Sequence, residues 1–216
     1  MLVIISPAIS IILVVGFFGG IFWFAVSLQR KQRIKTWQNY LAIADVLNIS
    51  VVGPDLKQMG SNIPTISGRS KGRNFSLYQV IKGSGKSRTT YTNFKWDLNL
   101  TAANTIMVYK ENFFTRLGSI IGLKDVQTGF EGFDKKFILI ASDPNFAQKI
   151  FTNEICNVFE DAHDSFRATI NLNANKIEYS EQGIITNEKN RERLLKIILA
   201  SQALADKAEK NSGNNK

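Results

Sequence analysis

Thr92-Asn93-Phe94-Lys95-Trp96-Asp97-Leu98-Asn99-Leu100 puts Phe94, Trp96, Leu98 and Leu100 on one side of an extended chain and Lys95, Asp97 and Asn99 on the other. That two-residue period belongs to a β-strand with one face in a core and one in water. Working outward, Arg73-Asn74-Phe75-Ser76-Leu77-Tyr78-Gln79-Val80 alternates in the same way, and Thr105 to Tyr109 reads as a further strand. One-faced strands joined by turns specify an antiparallel sheet.

Beyond this sheet the period changes. Phe137-Ile138-Leu139-Ile140-Ala141 is a continuous apolar run, the mark of a buried strand, and Asp143-Pro144 then supplies an N-cap with proline in the first turn. The spacing predicts one helix from there to about Ala162, burying Phe146, Ile150, Ile155, Val158 and Phe159. Phe166 to Leu172 and Ile177-Glu178-Tyr179 flank a turn at Asn173-Ala174-Asn175-Lys176 and read as a hairpin. A last helix over Glu188 to Glu209 carries Leu194, Ile197, Ile198, Leu204, Ala205 and Ala208 on one stripe. Phe113 to Leu123 fits either a short helix or a loop. With no regular strand–helix–strand alternation, the class is α+β: a mostly antiparallel sheet packed with about three helices.

Leu2 to Gln29 contain no charged side chain, and Arg30, Lys31, Arg33 and Lys35 follow at once. Ala8 to Val26 alone would make a helix of about 28 Å, close to a hydrocarbon core of about 30 Å. The absence of a basic start and the bulky Phe22-Trp23-Phe24 near the end of the segment argue against a cleaved signal peptide. The expectation is therefore one N-terminal transmembrane helix. Basic residues prefer the cytoplasmic side, which places the N-terminus outside and the following domain in the cytoplasm, at the inner membrane of a bacterium. Gly16 and Gly20 have the spacing that lets two membrane helices approach, which makes a homodimer through this helix one candidate partnership, beside the plainer reading that glycine is frequent in membrane helices. Residues 1–29 form the anchor, 30–48 a basic segment with an amphipathic helix (Trp37, Tyr40, Leu41, Ala44, Leu47), 49–210 the α+β domain and 211–216 a disordered tail.

The net charge of +9 is unevenly spread. Thirteen Lys or Arg face three Asp between Arg30 and Lys110, whereas Glu111 to Lys216 holds fourteen basic and fifteen acidic residues. Cations near an anionic leaflet gain about 1 kcal/mol each. Arg30, Lys31, Arg33, Lys35, Arg69, Lys71, Arg73, Lys82, Lys86 and Arg88 are thus the candidate contacts to membrane lipids or a protein partner. Nucleic acid is disfavoured, because no aromatic–basic interleaving accompanies the charge.

No catalytic, metal or cofactor signature stands up. Lys82-Gly83-Ser84-Gly85-Lys86-Ser87 lacks the first glycine of a phosphate loop, which is Val80 here, and leads into a strand, so it reads as a basic hairpin turn. His163 sits at a helix end between Asp161 and Asp164, a placement the helix dipole accounts for. Cys156 reads as a buried thiol, and Glu131, Asp134 and Asp143 as turn or cap residues.

The chain also resembles a family of uncharacterised bacterial membrane-anchored proteins with a domain of unknown function. The resemblance rests on Phe133-Asp134-Lys135-Lys136-Phe137, Ser142-Asp143-Pro144 with its helix, the Ile170-Asn171-Leu172 strand, Ile177-Glu178-Tyr179 and the terminal helix. It covers about Gly129 to Glu209, plus the Trp37 to Leu47 helix, and implies no activity. An interaction or scaffold module at the cytoplasmic face of the membrane is the leading expectation. An anionic-lipid reader is the second, and an enzyme whose site forms only in the fold the third.

Overall fold

In the computed structural model of the chain, which describes residues 7–49, 64–100, 104–111, 124–173 and 175–213, the stretch around Phe94 and Trp96 is an inner strand of an antiparallel sheet. The strands are β1 (Thr65–Ser70), β2 (Arg73–Lys82), β3 (Thr89–Asp97), β4 (Thr105–Lys110), β5 (Lys124–Asp125), β6 (Phe137–Ala141), β7 (Ile170–Asn173) and β8 (Lys176–Gln182). Their spatial order is β1-β2-β3-β8-β7-β4-β6-β5.

Register explains why one face is dry. Ile66, Leu77, Phe94, Tyr179, Ile170, Val108 and Leu139 are paired in succession and form one continuous buried row. Phe75, Trp96, Ile177, Leu172, Ile106 and Ala141 form the next. A slip of one residue at any pairing would turn a strand's apolar set to water, so the alternation itself specifies the register.

Five helices accompany the sheet among the described residues: α1 (Pro7–Val46), α2 (Glu131–Asp134), α3 (Pro144–Ile150), α4 (Asn153–Asp161) and α5 (Glu188–Gly213). On α5 the stripe Leu194, Ile197, Ile198, Leu204, Ala205 and Ala208 is fully buried, as its spacing requires. The helix continues through Gly213, so Asn211 to Gly213 are helical rather than tail.

The single helix expected from Asp143 to Ala162 is two. Asp143 caps α3 by accepting from the Asn145 and Phe146 amides at 3.0 and 3.2 Å, with Pro144 in the first turn. Thr152 then takes an extended conformation as the N-cap of α4. The break turns Phe151 inward, where its ring lies 5.4 Å from Phe133 and 5.6 Å from Phe159. Phe146 and Val158, expected in the core, are only partly buried as a result. Asp143→Ala should cost about 1 kcal/mol, the usual worth of such a cap; an unchanged urea midpoint would contradict that role.

The N-terminal anchor needs correction. The expected membrane helix over 1–29 and the amphipathic helix after it are one unbroken α1 of 40 residues, about 60 Å long. Among the described residues no helix is long and apolar enough to cross a membrane. Among the described side chains of α1, the exposed large apolar ones run from Leu13 to Leu28. Gln29, Arg30, Lys31, Gln32 and Arg33 follow without a break in the helix, and from Thr36 onward α1 is part of the domain.

Trp37, Tyr40, Ala44 and Leu47 are buried as expected, joined by Ile43. Leu41 is 37% exposed, because the centre of the packed stripe falls between Tyr40 and Leu47 and leaves Leu41 at its edge. The lower end of α1 is latched to the sheet where the Ser70 hydroxyl donates to the Leu47 carbonyl at 2.7 Å. The Phe113 to Leu123 segment lies outside the described residues.

Candidate functional site

The first ingredient of the site is the free half of α1. Ten large hydrophobic side chains from Leu13 to Leu28 are 46–73% exposed, among them Phe17, Phe18, Phe22, Trp23 and Phe24. They occur all round the helix, because successive residues are apolar and no stripe is reserved for a core. At Gly16 and Gly20 an added Cβ would meet nothing within 4 Å, so the protein's own fold covers neither.

The second ingredient is charge at the foot of this arm. The β2–β3 connection carries Lys82, Lys86 and Arg88, all exposed, beside the helix that bears Arg30, Lys31 and Arg33. The turn holds Gly83 at φ +85° and Gly85 at φ +54°, with a short 3-10 turn at Gly85–Ser87. Gly83 is demanded twice over, since a Cβ there would lie 2.4 Å from the Ser87 carbonyl oxygen. No phosphate loop forms, because an antiparallel strand and not a helix follows the turn. The Lys82 ammonium rests 4.8 Å from the centre of the Tyr91 ring.

The ten candidate cations do not make one patch. Strand β2 has ten residues, so its two ends are about 30 Å apart. Lys82, Lys86 and Arg88 stand at the end where the arm leaves, and Lys35 lies two residues beyond Arg33 on α1. Arg69, Lys71 and Arg73 stand at the other end, and two of them are engaged by α5. The Arg73 guanidinium donates to Glu209 at 2.6 and 2.8 Å and pairs with Asp206, while Lys71 lies 3.3 Å from Asp206. Burial works against the Arg73 charge, but these two carboxylates outweigh it and raise its pKa.

Between arm and sheet lies a cleft of about 360 Å³. Helix α1 contributes Gln29, Gln32, Arg33 and Thr36 to one wall; β2 and β3 contribute Gln79, Ile81 and Thr90 to the other, with Arg88 and Ile184 closing the ends. Two guanidinium groups therefore line the cleft and no carboxylate does. Two polar atoms near its floor lack hydrogen-bond partners: Gln79 Nε2 and Tyr40 Oη. The Tyr40 hydroxyl lies beside Thr92 and Gln79, out of good bonding geometry with either, and burial drives its pKa upward. The cleft is held in shape by Asn39, whose amide donates to the Ile185 carbonyl at 3.3 Å, and by Thr92, whose hydroxyl donates to the Gly183 carbonyl at 2.8 Å.

Behind the cleft is a buried ionic cluster that the sequence reading did not single out. Glu181 is 2% exposed and receives both prongs of the Arg193 guanidinium, one at 2.8 Å, together with the Tyr179 hydroxyl at 2.8 Å. Arg193 also donates to the Ser165 carbonyl at 2.8 Å. The signal was readable: Ile177, Tyr179 and Glu181 share the inward face of β8, and a carboxylate in such a position demands a cation.

The remaining candidates have structural duties. Asp134 accepts from the Thr128 and Gly129 amides at 3.1 and 2.9 Å and from the Thr128 hydroxyl at 2.8 Å, shaping the turn before β6. Phe133 and Phe137 anchor that turn, stacked at 5.1 Å. His163 faces Asp164 at 3.0 Å and sets its ring edge-on to Phe137. Cys156 is fully buried, and burial pushes its thiol up to about 11, away from thiolate chemistry. Glu131 pairs with Lys135 on the surface. Among the described residues no three His, Cys, Asp or Glu converge as metal ligands.

No protein-family model matches the chain, and no curated protein does. Among solved structures the chain is similar in fold to the mycobacterial trehalose monomycolate transport factor A, TtfA, at a TM-score of 0.50 and 10% sequence identity, over 82% of this chain and 93% of that one.

Proposed function

We propose that this protein is a membrane-associated accessory factor that binds partners and carries out no reaction of its own, held at the membrane by the exposed arm of α1. One observation carries the reading: ten large apolar side chains stand in the open on a helix continuous with the folded domain. An apolar surface of that extent calls for a hydrophobic environment. Each buried aromatic or aliphatic side chain would contribute roughly 1.5–3 kcal/mol.

The cations at the foot of the arm support the same reading. Arg30, Lys31, Arg33, Lys82, Lys86 and Arg88 are grouped where α1 leaves the sheet, which favours an anionic surface and so the cytoplasmic leaflet. The fold is shared with a protein named a transport factor, which agrees with an accessory role in transport. The buried thiol and the structural duties of the carboxylates support a binding role over catalysis.

The test is vesicle flotation of the full chain. Wild type should rise with neutral phosphatidylcholine vesicles, and rise more completely when phosphatidylglycerol is added at low salt. A variant with Phe17, Phe18, Phe22 and Trp23 each replaced by Ser should stay at the bottom with its unfolding midpoint unchanged, since these side chains are outside the core. Wild type that fails to float, or a variant that floats equally well, contradicts the proposal.

A further inference from the structure

We infer that a polar hollow on the face of the sheet opposite the core rows is a binding site for a neutral, polyhydroxylated ring of monosaccharide size. The inference goes beyond membrane attachment and does not depend on it.

Strand register builds the hollow. Tyr78, Asn93 and Ser180 are paired in succession across β2, β3 and β8, and Glu178 and Asn171 are paired on β8 and β7 one row further. All five alternate with buried neighbours such as Leu77, Phe94, Tyr179 and Ile170, so they stand on the sheet's other face. Asn93, Ser180 and Asn171 are short, whereas Tyr78 and Glu178 are long, which leaves a depression of about 210 Å³ over the β3–β8 pair. Phe94 and Tyr179 stack on each other in the core at 5.2 Å and reach the hollow only through their main chains. Pockets for drug-sized molecules run to about 300–1,000 Å³, so this one suits something smaller, such as one sugar ring.

Charge narrows the ligand. Lys95 lies opposite Glu178 and Asp97 opposite Lys176, while along the strands Lys95 pairs with Asp97 at 3.0 Å and Lys176 with Glu178 at 2.9 Å. The four charges cancel, and of them only Glu178 lines the hollow. An entering cation would find that carboxylate already held by an ammonium, and an anion would be repelled by it. A hydrocarbon would strand the amides, the phenol and the hydroxyl without partners. What fits is a neutral molecule with several hydroxyls.

The polar groups match such a ring. Asn93 and Asn171 each offer an acceptor and two donors, so one carboxamide can serve two neighbouring hydroxyls, and Glu178 has lone pairs beyond the one that Lys176 uses. Asn93 is 8% exposed and is steadied where its Nδ2 donates to the Tyr91 carbonyl at 3.2 Å. Ser180 Oγ is buried with no partner, a hydrogen-bonding capacity that the fold itself leaves unused. Tyr78 adds an aromatic ring, against which the C–H face of a sugar packs.

The experiment titrates the isotope-labelled full chain, in a zwitterionic detergent, with glucose and with myo-inositol, and follows the backbone amides by nuclear magnetic resonance. Both probes should shift the amides of Asn93, Phe94, Tyr179 and Ser180 saturably. Glucuronate and glucosamine carry a charge that must be desolvated without gain and should bind at least about threefold more weakly. Ser180→Ala and Asn171→Ala should each weaken both neutral probes about fivefold. Ser180→Ala should do so at an unchanged unfolding midpoint, because its hydroxyl holds nothing in the protein. Gln182→Ala, on the same strand but outside the lining, should change affinity less than about twofold. Saturable shifts by neither neutral probe, or a charged analogue that binds tighter than glucose, would overturn the site. So would affinities in both lining variants equal to that of wild type.

Methyl glucoside separates two sources of the same ring. Loss of binding on methylation restricts the site to a free sugar, and equal affinity admits the sugar end of a larger glycoconjugate; both results uphold the hollow. The four-fold Ser variant of the arm should bind glucose as wild type does, so this inference and the membrane reading fail separately.

Discussion

Arg193→Met is expected to remove about 3–5 kcal/mol of stability, the cost of stranding a buried charge. Glu181, at 2% exposure, would keep only the Tyr179 hydroxyl among its present side-chain partners. The pair is not a simple surplus of attraction. Burial disfavours the Arg193 charge, and the Glu181 carboxylate, seconded by the Tyr179 hydroxyl, turns its pKa upward. One donor is unused too, because Arg193 Nε has no partner. Removing both charges together should therefore be mild: Glu181→Leu with Arg193→Met is expected to recover most of the loss. Urea unfolding of the full chain followed by far-ultraviolet circular dichroism separates the outcomes. A single variant as stable as wild type would show that the pair contributes nothing. A double variant as unstable as the single one would show that packing, and not charge, is what Arg193 supplies.

Trp96→Ala should cost about the same, roughly 3–5 kcal/mol, by a different mechanism. The indole is fully buried, its ring 4.5 Å from Phe75, and its Nε1 donates to the Ser201 hydroxyl on α5 at 3.1 Å. Ser201 in turn donates to the Ile198 carbonyl at 2.7 Å. Alanine would leave a void between sheet and helix and take away the donor to Ser201. Trp96→Phe keeps most of the apolar volume and loses the hydrogen bond, so about 1–2 kcal/mol is expected. Chemical denaturation of the two variants checks the ratio; equal costs would mean that volume is irrelevant at this site. Against a typical domain stability of about 5–15 kcal/mol, Trp96→Ala and Arg193→Met together should leave little folded protein.

Strand positions were legible because a period of two is a local property. Phe94 and Trp96 needed only their own neighbours to be placed inward, and the α5 stripe from Leu194 to Ala208 needed only its own turns. Caps were legible for the same reason: Asp143 and Asp134 act on amides within six residues of themselves. The α3–α4 break was not. It depends on the space that Phe133 and Phe159 leave for Phe151, and neither lies beside it in the chain. That a single helix runs from the apolar segment through the charges into the domain was not legible either, because it depends on what the later turns pack against.

The candidate cations show the division most clearly. Sequence alone established that Arg33 and Arg88 are basic, that they follow an apolar segment, and that the chain folds as an antiparallel sheet with helices. Only the tertiary structure brought these two into one cleft while tying Arg73 to α5 about 30 Å away along β2. Charge and periodicity are properties of residues and their neighbours; a site is a relation among segments distant in sequence, and its geometry exists only after the sheet has closed on its helices.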